Sequence, residues 1–215
     1  MKNLNIIPLI IGLLVFAAQF TFANDKYTEI MQKNIEAAYQ AKSVEEFQSL
    51  ANTFHRIAEA EKTKWEAFYY EAYAYVMMTN LEKDPTKKDT MLDASLKALE
   101  AAKALQPGES EMVALDGFIH MMRVTVDPAS RGQQYSGMAF QSFNKAVAMN
   151  PENPRALALL AQMEFGTAKF FGSSTADACA TAAKAVDKFE NQKPSSVLSP
   201  MWGKNMAQSL KDKCQ

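Results

Sequence analysis

Hydrophobic positions recur at helical spacing through most of this chain. In TMLDASLKALEAAKALQP, from Thr90 to Pro107, the residues Met91, Leu92, Leu96, Leu99, Ala102 and Leu105 form one stripe, and Pro107 stops it. Thr90, three residues before Asp93, reads as the N-cap of that helix. The skeleton Ser95, Leu99, Ala102, Pro107 returns 44 residues later as Ala139, Phe143, Ala146, Pro151. A further 43 residues on it returns as Ala182, Val186, Phe189, Pro194. One step earlier stand Ala51, His55, Ala58 and Thr63, without the proline. One helical unit is being repeated.

The same periodicity predicts a helix over 24–41, with Tyr27, Ile30, Met31, Ile35 and Ala38 as its stripe. A capping box, Ser43-Val44-Glu45-Glu46, opens a second that runs to about Glu61. A third starts at Trp65, and Tyr70, Tyr73 and Met77 make it apolar most of the way round, as befits a helix sandwiched between neighbours. Further helices are expected over 111–123, 137–149, 154–169 and 176–190, and from Trp202 to about Lys213. The stretches 80–89 and 124–136 read as long polar loops, and Pro194 and Pro200 bracket a linker. No run alternates with the period of a strand.

Helix pairs repeated in this way resemble the tetratricopeptide repeat family, whose unit is about 34 residues. A period of 44 puts about ten extra residues in each intra-pair loop, at 80–89 and 124–136. Gly117 and Ala161 match the family's small packing position and Val113 and Leu157 its large apolar one, while Tyr73 departs from the pattern. The resemblance implies an all-α solenoid over 24–194, followed by a C-terminal linker and capping helix over 195–215. It also implies a concave groove lined by the first helix of each pair. The expected contacts there are Tyr70, Met78, Phe118, Met122, Arg155, Gln162 and Phe165, with Met77, Glu111 and Met121 beside them. Methionine adapts to varied apolar surfaces, and Arg155 with Gln162 could fix a bound peptide's direction. The competing expectation makes these side chains core, under a face closed by the chain's own tail.

Composition narrows the remaining choices. With 48% hydrophobic residues and a formal charge of −1, nothing points to nucleic acid. Lys2, the apolar run Ile6–Ala18 and small Thr21 and Ala23 predict a signal peptide over 1–23 cleaved after Ala23. That run is too short for a membrane span, and removing it leaves a periplasmic or secreted chain with 22 basic and 24 acidic side chains. Cys179 and Cys214 are expected to pair across a 35-residue loop. His55 and His120 lack ligand spacing, the cysteines lack CxxC spacing, and no phosphate loop or nucleophile elbow occurs. No catalytic residue, metal or cofactor is therefore expected. The main reading is an exported scaffold for a protein or peptide. The alternative is a small-molecule or glycan-binding protein, hydrolytic or not, whose pocket is closed by the long loops and lined by Arg131, Arg155 and Glu164. In the loops, Arg131 is expected to be pinned by a carboxylate near Tyr135, and Phe170-Phe171-Gly172 to plug a repeat interface.

Overall fold

The structure, a computed structural model, describes residues 26–214, so the expected cleavage after Ala23 falls outside it. All regular structure among these residues is helical: α1 (26–40), α2 (Val44–Glu61), α3 (Trp65–Leu81), α4 (Pro85–Leu105), α5 (Ser110–Val126), α6 (Pro128–Met149), α7 (Pro154–Phe171), α8 (Ala176–Glu190) and α9 (Lys204–Asp212). No helix among the described residues is long and apolar enough to cross a membrane.

Helix starts follow local chemistry. Ser43 and Glu46 form the reciprocal capping box that opens α2. Asp84, Asp127 and Asn153 each cap a helix whose first residue is proline, where the missing N–H removes no hydrogen bond. Two of these caps correct the sequence reading. The stretches 80–89 and 124–136 are not loops but are mostly taken up by helix ends, leaving short breaks at 82–84 and at Asp127. The extra residues of the long period therefore lengthen α4 and α6. Thr90 is accordingly no N-cap. It lies inside α4, its hydroxyl donating to the Thr86 carbonyl.

Packing follows the 44-residue spacing. Consecutive helices pair as α3–α4, α5–α6 and α7–α8, and among the first members α5 also touches both α3 and α7. Leu99 and Phe143 are fully buried at equivalent places in α4 and α6. Glu111 and Arg155 occupy equivalent places in α5 and α7 and join them through two 2.7 Å hydrogen bonds, a bidentate buried ion pair. At Gly117 the Phe143 ring lies where a side chain would begin, so only glycine lets α5 and α6 approach this closely.

A strap formed by the segment after α8 closes the inner face. Leu198, Pro200 and Trp202 point in, while Val197 and Met201 remain exposed. The Trp202 indole stacks between Tyr73 and Phe118 at 5.2 and 6.0 Å, and its N–H donates to the Tyr69 hydroxyl at 3.1 Å. Tyr70 donates to the Leu198 carbonyl, and the Met201 N–H donates to Tyr39, both at 3.0 Å. Gly203, with φ +98°, turns the chain into α9 beside Phe189 and Arg155. Cys179 of α8 and Cys214 are joined by the expected disulfide.

Candidate functional site

On the opposite side of α5 from Phe118 the surface stays open. A groove of about 530 Å³ lies between the end of α4, the 106–109 turn, α5 and α6. Met112, Val113, Asp116 and His120 line it from α5; Met138, Gln141, Ser142, Lys145 and Met149 line it from α6. Each set is one helical stripe, spaced by three and four residues. Met112 is buried at the floor, and Met138 and Met149 are half-open at the rim. Three thioethers, polarizable and adaptable in shape, thus stand among polar neighbours.

The polar part of the floor is internally satisfied. Asp116 accepts from the Lys103 ammonium at 3.0 Å and from the Ser142 hydroxyl at 3.1 Å. Burial pulls the Lys103 pKa down, but Glu100 and Asp116 outweigh it and leave it raised, so the ammonium is charged. His120 Nε2 lies 3.8 Å from Asp116, and the ring stacks on Tyr135 at 6.1 Å. Burial, with help from Lys103 and Arg123, lowers the His120 pKa against the pull of Asp116. The imidazole is therefore neutral at pH 7, and its buried Nδ1 has no hydrogen-bond partner. Lys145 is an exposed cation on the rim with no ion-pair partner among the described residues.

The fold built from these pairs superimposes on a solved structure, the HusA haemophore from Porphyromonas gingivalis, with a TM-score of 0.79. Sequence identity is 30%, over 88% of this chain and 92% of the haemophore. The chain belongs to the family of HusA. No protein-family model matches the chain, and no curated protein does.

Against this HusA-family fold the residues expected to line a concave groove can be placed one by one. Tyr70, Met78, Phe118, Met122 and Arg155 are buried. Tyr70 and Phe118 lie under the strap, and Arg155 is held by Glu111. Gln162 is exposed and Phe165 half-buried, with the Lys169 ammonium over the Phe165 ring. The face is therefore core closed by the chain's own tail. Nor do Arg131, Arg155 and Glu164 share a pocket: Arg131 pairs with Asp89 at 2.6 Å, Arg155 with Glu111, and Glu164 contacts Thr181. Arg131 is thus pinned by a carboxylate, as its sequence context suggested, though in a helix. Phe170 and Phe171 plug nothing; they are 82% and 74% exposed. Among the described residues no cluster of three or more His, Cys, Asp or Glu could hold a metal ion.

The sequence pattern placed Val113 as a packing residue and His120 as an isolated histidine, and did not join the groove residues into one site. A usable signal was present: Asp116 and His120 stand four apart, beside Gly117, in the otherwise apolar middle of the helix from Met112 to Met122. With Gly117 recognised as the point of closest helix approach, its polar neighbours mark the edge of that contact.

Proposed function

We propose that the chain is an exported carrier of a small, flat, acid-bearing ligand of the haem class, held in the groove between α5 and α6. The observation carrying this reading is the likeness to a haemophore along nearly the whole of both chains. The groove supports it. Its volume lies within the roughly 300–1,000 Å³ usual for small-molecule sites. Thioether side chains suit the faces of a polarizable ring, and unpaired Lys145 supplies a cation for an acid group at the rim. Lys103 offsets Asp116 at the floor, and Lys145 balances the Glu109 carboxylate of the 106–109 turn. His120 adds a neutral imidazole to the wall, its free nitrogen enclosed rather than presented.

Binding and transport, rather than catalysis, is the role proposed, and the helix pairs are read as a tetratricopeptide-like stack. The disulfide suits an oxidising compartment, periplasmic or extracellular. With five of seven expected contacts buried, no observation favours a protein partner on the concave face.

Titration of the chain from Asn24 onward with haemin, followed by the Soret band, tests the proposal. Saturable one-to-one binding, weakened at least tenfold by Met138→Glu, is the expected result. Absence of saturable binding, or binding indifferent to Met138→Glu and Met149→Glu alike, would reject it.

A further inference from the structure

The end of α7 carries a feature the groove does not explain. Phe170 and Phe171 close the helix with their side chains almost wholly in solvent, the rings packed edge to face with centroids 5.0 Å apart. Gly172, in the left-handed conformation, ends the helix directly behind them, and Ser173, Ser174 and Thr175 follow. Lys169, directly before Phe170, holds its ammonium over the Phe165 ring one turn back. The patch forms no wall of the groove. It is a convex apolar knob with a cation and three hydroxyls at its base.

Exposing two adjacent aromatic rings keeps apolar area in water that folding could have covered, so the knob calls for an occupant. Its size decides which kind. Two phenylalanine side chains offer roughly 150–250 Å² each, well below the ~800 Å² per partner of a stable protein interface. A convex tip flanked by polar groups instead suits a fluid apolar layer, entered by rings while cation and hydroxyls stay among headgroups. We propose that Phe170 and Phe171 insert reversibly into the interfacial region of a phospholipid bilayer, with Lys169 on a lipid phosphate. One such tip without a second anchor gives weak, reversible attachment, which brings a carrier to a membrane without fixing it there.

The test is co-sedimentation with vesicles of phosphatidylcholine and phosphatidylglycerol, using the ligand-free protein so that the outcome is independent of haemin binding. The wild-type chain is expected in the pellet in proportion to lipid, and Phe170→Ser/Phe171→Ser is expected to lower that fraction at least fivefold. Both rings are exposed, so the melting temperature of the double variant should match the wild type and show that it is folded. The proposal is overturned if the wild type stays in the supernatant, or if the double variant pellets equally. It is also overturned if sedimentation velocity without lipid shows a dimer that the double substitution abolishes, which would make a second copy the occupant.

Discussion

The two faces of α5 differ in what covers them. On one, Phe118 lies beneath Trp202, and the neighbouring tyrosine hydroxyls are matched to strap atoms. On the other, Asp116 and His120 edge a groove whose polar floor is satisfied but whose rim is open. Aromatic residues alone do not mark a binding face. The richer aromatic surface is the one used for stability, and the plainer surface, lined by methionine, is the one left available.

Trp202→Ala tests the closed face and should have the largest effect. Removing a buried indole from between two rings is expected to lower stability by roughly 3–5 kcal/mol in denaturant unfolding. Haemin affinity should stay within about twofold, because Phe118 and Asp116 look in different directions. Loss of binding in a variant that remains folded would erase the distinction between the faces. Gly117→Ala couples them instead. Its methyl would overlap the Phe143 ring, so about 1–3 kcal/mol of stability should go, and the altered α5–α6 spacing should weaken haemin binding as well.

Smaller effects sharpen the comparison. His120 has a folded-state pKa depressed by burial, so the unfolded chain takes up its proton first. Its contribution to stability is complete above the unfolded value of about 6.5 and is lost as pH falls from there through the folded value. Unfolding curves at pH 7 and pH 5 should show His120→Gln losing less than the wild type over that interval; an equal loss would mean the ring titrates as if in solvent. Lys145→Glu should leave stability within about 0.5 kcal/mol and weaken haemin binding roughly tenfold, the worth of one charge-assisted hydrogen bond. Unchanged binding would leave the rim cation without a role.

Helix order and the Cys179–Cys214 pairing were legible in the sequence because both depend on local or counted features. The Ser43 capping box and the start of the helix expected over 154–169 also read correctly. At Asp84-Pro85 and Asp127-Pro128 the same cap chemistry was present, but the charged and polar residues after each proline masked a solvated first turn as loop. Closure of the inner face by the tail was one of two readings the sequence left open, but the contacts that make it were not legible. Nothing local tells Leu198, Met201 and Trp202 that their partners are Tyr70, Tyr39 and Tyr69, more than a hundred residues away. The groove was hidden for a related reason, since its two stripes become one surface only when Gly117 meets Phe143.

The disulfide gives the strap a topology of its own. Because Cys179 and Cys214 are bonded, residues 179–214 form a covalent ring, and the tail enters the inner face as an arc of that ring rather than as a free end. A single endoproteolytic nick at exposed Val197 would leave both fragments tethered, with Trp202 still able to reseat between its rings. Two events, one cleavage and one thiol exchange, are needed before the carboxyl-terminal fragment can diffuse away.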